Sequence, residues 1–449
     1  MQQNLTSGSV FHTVVRFSLP YLLSYFLQTL YGMADLFIVG QFAPVAATTA
    51  VSIGSQVMHM LTVMLVGLAM GTTVTIAQAV GAGDKARAEK AIGNTVTLFG
   101  VVSIVLTLVL VALVRQITSV MSTPHEAVSG AVSYLTICFL GIPFITAYNI
   151  ISAIFRGMGD SKSPMQFVAV ACVCNITLDY LFMGALRLGP AGAALGTTLS
   201  QGLSVVFALL SIRRRGLGLT LRKGDLRPDA SVLRQILKIG VPITCQDGLI
   251  QVAFLVITVI ANQRGLTDAA AVGIVEKVIS FLFLVPSSML STVSALGAQN
   301  IGAGKPARAR QTLRFAILLA AGFGVLATII VQFTADSVVA LFTPDAAAIT
   351  AGGQYLRGYI FDCIFAGLHF SFSGYFCACG KSGLSFLHNI IAIVCVRVPG
   401  VWLASRLFPA TLLPMGLATA AGSLLSVIIC MIAYAALQKR ETRARSAAF

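Results

Sequence analysis

Charged side chains are scarce in this chain. Asp, Glu, Lys and Arg make up 10% of its 449 residues, against 57% apolar types. An ordinary soluble domain carries about a quarter charged residues, so that class is excluded. Short alternating strands are missing, which excludes a membrane β-barrel. Metal-binding spacing is missing as well. The nine Cys all lie in apolar segments, and Cys172/Cys174 and Cys377/Cys379 are two apart, pointing to different faces of a helix. They read as buried inert thiols rather than a zinc site. No Walker motif, Rossmann fingerprint, zincin motif or nucleophile elbow occurs. ATP hydrolysis within the chain is therefore not expected, and neither is enzymatic chemistry. Residues 1–13 lack the charge and cleavage pattern of a signal peptide, so the first apolar segment is expected to stay as a helix.

What is present is length of apolar run. Segments of about twenty apolar residues, enough to cross a bilayer as a helix, recur along the whole chain. Twelve spans are predicted: 14–40, 50–76, 91–114, 131–155, 165–186, 190–212, 238–261, 270–297, 312–334, 353–378, 384–405 and 412–437. The fold class is an all-α integral membrane protein. The excess of basic residues, a net charge of +15, sits in short loops and so reads as a topology signal rather than a nucleic-acid surface. Of the 30 Lys and Arg, 23 fall on the side of the N-terminus, the loops after even-numbered spans and the tail. Four (Arg115, Arg187, Arg264, Arg406) fall on the other side, and Lys277, Arg357 and Arg397 lie in or at helices. Both termini and the basic loop Arg213–Arg234 are accordingly expected in the cytoplasm. That loop also suits contact with anionic lipid.

The two halves repeat. Ala77-Gln78-x-x-Gly81-Ala-Gly83 recurs as Ala298-Gln299-x-x-Gly302-Ala-Gly304, Tyr134-Leu135 as Tyr355-Leu356, and Phe155-x-x-x-Gly159-x-Ser161 as Phe376-x-x-x-Gly380-x-Ser382. Leu188-x-Pro190-x-Gly192 recurs as Leu412-x-Pro414-x-Gly416. Each half holds six spans, an even number, so the copies share orientation. The expectation is two six-helix lobes related by a pseudo-twofold axis along the membrane normal, a transporter architecture. The boundaries are 1–212 for the first lobe, 213–237 for a basic linker, 238–437 for the second lobe and 438–449 for a cytoplasmic tail. The acids do not follow the repeat, so each lobe carries its own polar chemistry.

A charged side chain inside a membrane helix costs a few kcal/mol or more, about 2.5–3.5 kcal/mol on insertion scales, unless a partner or cavity compensates it. Asn175 and Asp179 lie four apart on one face of the fifth span. With Thr197 of the sixth span they offer a carboxylate, an amide and a hydroxyl, hard oxygens that suit Na+ or a proton. Ser24, Gln28, Tyr31 and Asp35 form a helical stripe on the first span, where Pro20 favours a bend. Gln28, Tyr31 and Gln201 are candidate cavity residues. Asp247, Glu276 and Asp362 mark spans 7, 8 and 10 as secondary candidates. Lys277 or Arg357 are available to neutralise an acid there. His59, His369 and His388 show no metal spacing and read as packing residues.

Four stretches resemble one family: Tyr31-Gly-Met-Ala-Asp35-Leu-Phe-Ile-Val-Gly40, Phe155-Arg-Gly-Met-Gly-Asp160-Ser-Lys-Ser-Pro164, Asn175-x-x-x-Asp179 and Gly192-Ala-Ala-Leu-Gly-Thr197. Together they resemble the multidrug and toxic compound extrusion (MATE) family, in its bacterial DinF-like branch, over nearly the whole chain. The resemblance implies alternating access and export of small amphipathic, often cationic compounds, driven by entry of H+ or Na+ across the bacterial inner membrane. It implies a coupling site at Asp35, Asn175, Asp179 and Thr197, with Pro20 as a hinge. The expected partners are these substrates and membrane lipids, with no nucleic acid, no cofactor beyond the coupling ion, and a monomeric state. A flippase for a lipid-linked precursor and an intramembrane enzyme are the alternatives. The mainly acidic intramembrane charge favours a cationic substrate over a pyrophosphate headgroup.

Overall fold

The computed structural model describes residues 5–216, 219 and 222–446. Among these every regular element is helical. The first half contains α1 (Val10–Phe42), α2 (Val45–Gly81), α3 (Lys85–Ala112), the short α4 (Val114–Val120), α5 (His125–Leu140), α6 (Ile142–Gly157), α7 (Lys162–Asp179) and α8 (Gly189–Arg215). The second contains α9 (Ala230–Asn262), α10 (Leu266–Leu282), α11 (Leu284–Gly302), α12 (Pro306–Ala340), α13 (Ala346–Tyr359), α14 (Phe361–Ala378), α15 (Gly383–Ala392), α16 (Val398–Leu407) and α17 (Leu413–Ser446). π-helical turns follow α7, at Tyr180–Ala185, and α15, at Ile393–Arg397.

Among the described residues, eleven helices or joined helices are long and apolar enough to cross a membrane, and α5 with α6 makes a twelfth that is bent by 47°. All twelve sequence-predicted spans fall on these. The bend was not foreseen. It sits at Gly141, where a Cβ would press on the Thr198 side chain of α8. The corresponding α13–α14 pair forms one span, Ala346–Ala378, without such a bend. The copies therefore differ in shape as well as in charge.

The chain divides into two compact units. One holds Leu5 with Leu19–Thr244, the other Thr6–Ser18 with the chain from Cys245 onward. Each half thus lends the start of its first long helix to the other unit, and the changeovers at Ser18/Leu19 and Thr244/Cys245 lie within three residues of Pro20 and Pro242. In the first unit, α9 crosses α2 at close range. Gly240 and Gly71 face the backbone of Leu68 and Ile236, and any Cβ at either glycine would collide with it. Small residues at such crossings are how membrane helices gain packing when lipid is as apolar as their own side chains. Gln235 donates to Gln78 at 2.9 Å and accepts from Arg87 at 3.0 Å. In the second unit, Lys305 and Arg308 bind the carbonyls of Thr6, Ser7 and Gly8.

The first unit's core centres on Ile38, Val51, Tyr134, Leu135 and Phe139, and the second unit's on Val272, Val275, Tyr355, Tyr359 and Ile360. Outward faces remain apolar: Val101, Ile104, Val105 and Leu108 on α3, and Leu326, Ile329, Ile330 and Phe333 on α12 are all exposed. Both rows follow i, i+3, i+4, i+7 and suit lipid. The basic linker is not a free tether. Asn94 donates to the carbonyls of Asp225 and Arg227, its own Oδ1 accepts from the Asp229 amide at 2.7 Å, and Lys90 pairs with Asp229 at 2.5 Å. The Lys90 ammonium beside Asp229 holds its carboxyl well below the usual carboxylate range. A depressed carboxylate contributes above its ordinary pKa and loses that contribution only as pH falls through the lowered value, so this clasp persists across physiological pH.

Candidate functional site

Asp35 lies on α1, Asn175 and Asp179 one turn apart at the C-terminal end of α7, and Thr197 on α8. Asp35, Asn175 and Asp179 are 4%, 1% and 1% exposed. The fold brings the four together. Asp179, Asn175 and Thr197 are the polar neighbours of Asp35. Thr197 donates to Asp35 Oδ2 at 3.1 Å. Among the described residues, Oδ1 of Asp35, both oxygens of Asp179 and both polar atoms of Asn175 have no hydrogen-bond partner. Among the described residues no Lys or Arg pairs with either acid. Two facing carboxylates repel unless they share a proton or a cation, and in a low-dielectric interior that demand is strong. Asn175 adds a carbonyl and Thr197 a hydroxyl, both neutral oxygens. The arrangement can hold a proton between the acids or a small hard cation among the oxygens.

The helical geometry changes right beside Asp179. The helix changes to a π-helical turn immediately after it, at Tyr180–Ala185. Such turns re-aim side chains and recur at functional sites. Opposite lies Gly196, where a Cβ would run into Asp179 Oδ1. Gly196→Ala is therefore expected to leave the helices in place but displace the carboxylate. If the four residues hold a cation, its affinity should fall at least about tenfold, equivalent to about 1.4 kcal/mol, read as a rightward shift of the cation dependence of thermal stability.

The stripe on α1 continues the site. Tyr31 faces Gln201 and Gln28 faces Tyr148. Gln28 and Tyr31 are half-buried, whereas Gln201 is buried. Further along, Arg156 stacks over the Tyr21 ring at 4.7 Å. α1 runs through Pro20 without interruption, and Ser24 donates to the Pro20 carbonyl at 2.7 Å.

In the second unit the secondary candidates divide. Glu276 accepts from Thr258 at 3.3 Å. Glu276 and Asp362 both lie within electrostatic reach of Tyr355 and Tyr359. Asp247 stands apart from that group, with Cys377 as its neighbour. Asp362 is fully buried and paired with Arg397. Arg357 pairs instead with Asp336 at 2.8 Å, and Lys277, though exposed, lies within electrostatic reach of Glu276. The sequence offered Lys277 and Arg357 as neutralising partners and missed Arg397 as the partner of Asp362. It also missed a histidine pair. His369 and His388 approach to 5.4 Å between ring centroids, and His388 Nε2 shares a 2.8 Å hydrogen bond with Ser373. The one available signal was that both lie in apolar spans. No group of three metal-ligating side chains forms among the described residues.

The sequence profile of the MatE family matches residues 20–181 and again 242–403, one copy in each half. The chain belongs to the MatE family. The two matches begin at Pro20 and Pro242, in agreement with the internal repeat. Among relatives of this MatE chain, the probable multidrug resistance protein YpnP of Bacillus subtilis is 28% identical over 408 residues, covering 90% of this chain and 91% of its own. The multidrug export protein MepA of Staphylococcus aureus (strain MRSA252) is 25% identical over 407 residues, covering 90% and 89%. A solved outward-facing multidrug resistance MATE family transporter of the MOP superfamily superposes with a TM-score of 0.90 at 22% identity, over 98% of this chain and 99% of that one. These relatives and structural neighbours are transporters, not enzymes, and the two-lobed helical fold is shared.

Proposed function

We propose that this MatE protein is a secondary active exporter of small amphipathic, often cationic compounds, exchanging them for H+ or Na+ that enters through Asp35, Asn175, Asp179 and Thr197. The observation that carries this reading is the buried pair of facing acids with no cationic side chain beside it. A site that needs a cation and has none built in is suited to exchange one with solvent. Coupling then requires that the cation and the substrate prefer different conformations of the protein. Tyr31, Gln28 and Gln201 border the site and would report its occupancy to a substrate. Arg397 is neutralised by Asp362, so the buried charge offers little to a pyrophosphate headgroup. Ethidium efflux from proteoliposomes under an imposed Na+ gradient, and then under an imposed pH gradient, tests the reading and selects the ion. Efflux indifferent to both gradients would refute it.

The protein works, in this reading, as a monomer in the bacterial inner membrane with both termini in the cytoplasm. A single Cys introduced at 222–229, between α8 and α9, in a variant without exposed native Cys should resist impermeant thiol reagents in intact cells and react in everted vesicles. Labelling in intact cells would reverse the orientation.

Pro20 leaves the Arg16 carbonyl without its helical donor, which makes α1 easier to bend there. Pro20→Ala should therefore slow efflux several-fold, by about 1 kcal/mol in activation terms, while thermal stability holds or rises. Unchanged efflux by a correctly inserted variant would remove Pro20 from the transport cycle.

A further inference from the structure

The second half places a positive charge near the point where the first has the neutral amide of Asn175. Flanking motifs give the offset between copies: Phe155 to Phe376 is 221 residues and Pro190 to Pro414 is 224. The same offsets carry Asn175 to positions 396–399, a window that contains Arg397. The π-helical turns themselves fall at different points of the two copies, so the placement rests on the flanking motifs. The π-helical turn of the first copy follows Asp179, and that of the second ends on Arg397.

Their electrostatic settings differ in kind. The first unit buries two acids without a cationic side chain. The second buries one acid, Asp362, against a guanidinium that is itself 7% exposed. Arg397 is held on several sides. Its guanidinium lies 5.9 Å from the Phe254 ring centre, and α17 passes so close at Gly422 that a Cβ there would sit 2.8 Å from Arg397 Cβ. Ser423, next in sequence, is a polar neighbour of Asp362. Tyr355 and Tyr359, with rings 5.5 Å apart, flank the pair. An Arg does not lose its proton in a protein, and this one cannot leave because the chain holds it.

We propose that Arg397 is a tethered cation standing in the second half where an exchangeable cation stands in the first, so that Asp362 takes no ion from solution and cation exchange runs through the first half alone. The inference rests on the proposed coupling role of Asp35 and Asp179. It goes further in assigning Arg397 as the residue that closes a latent cation site at Asp362. Removing the guanidinium leaves a buried carboxylate with hydroxyl neighbours, which then needs Na+ or a proton from outside.

The test reads thermal stability of the purified full-length protein in detergent, against NaCl at constant ionic strength and against pH. Wild type should gain stability with the coupling cation, and Asp35→Asn/Asp179→Asn should lose that gain. Adding Arg397→Gln to this background should restore a saturable Na+- or acid-dependent rise in Tm, and adding Asp362→Asn as well should abolish it again. No rise on Arg397→Gln, or a rise in Asp35→Asn/Asp179→Asn that Asp362→Asn removes, overturns the proposal. If Arg397→Gln is not recovered folded, the neutral pair Asp362→Asn/Arg397→Gln decides. It should bind as many cations as wild type, and a smaller number overturns the proposal. A wild type with no cation response, together with a response in Arg397→Gln, would refute the coupling role of Asp35 and Asp179 and uphold the tethered cation.

Discussion

Asp179→Asn should reduce gradient-driven dye efflux in everted vesicles to the level of vesicles lacking the protein, after normalising for expression. The amide keeps the shape of the side chain and removes the charge that a proton or Na+ neutralises. With the charge gone, cation binding no longer favours one conformation over another, and a ligand without differential affinity shifts nothing. Asp35→Asn should behave alike. If the two acids serve one cation, the double variant should be little worse than either single one, because their effects are coupled rather than additive. Substrate binding should survive in part, since apolar surfaces supply some of the affinity. Wild-type efflux rates in Asp179→Asn would move the coupling site elsewhere, with Glu276 and Asp247 next to be tested.

Asp362→Asn should be among the most destabilising single substitutions in the second unit. It leaves the Arg397 guanidinium buried with no counter-charge, a loss of about 3–5 kcal/mol. That is a large share of the about 5–15 kcal/mol that holds a typical domain folded. The neutral pair Asp362→Asn/Arg397→Gln should recover most of the loss, because no charge is then left unpaired. Equal Tm values for Asp362→Asn and wild type would mean that Arg397 finds another partner or water.

Much of this was legible in the sequence. Twelve spans could be read because apolar length is a direct requirement of the bilayer. Asp35, Asn175, Asp179 and Thr197 stood out because a polar group in an apolar span is costly and so draws attention wherever it lies. What stayed hidden depends on contacts between helices far apart in the chain. Asp362 and Arg397 are 35 residues apart on different helices, and no periodicity links them. His369 and His388 met through the packing of α14 and α15, not through spacing. The bend at Gly141 follows from the neighbouring α8, which a hydropathy profile does not see. The exchange of helix starts between units was equally invisible, since Val10–Ser18 reads as the ordinary start of a membrane span. The turn after Asp179 lies in an apolar run whose composition suits an α-helix and a π-helix alike.

The most direct measurement is simultaneous: ethidium efflux and cation influx in the same proteoliposomes, for wild type and for Asp35→Asn/Asp179→Asn. In wild type, one of the two imposed gradients, Na+ or H+, should drive ethidium out while that ion enters in fixed proportion. In the double variant both fluxes should vanish together. Efflux in the double variant that still follows the ion gradient at the wild-type rate would contradict the assignment of the coupling site to Asp35 and Asp179.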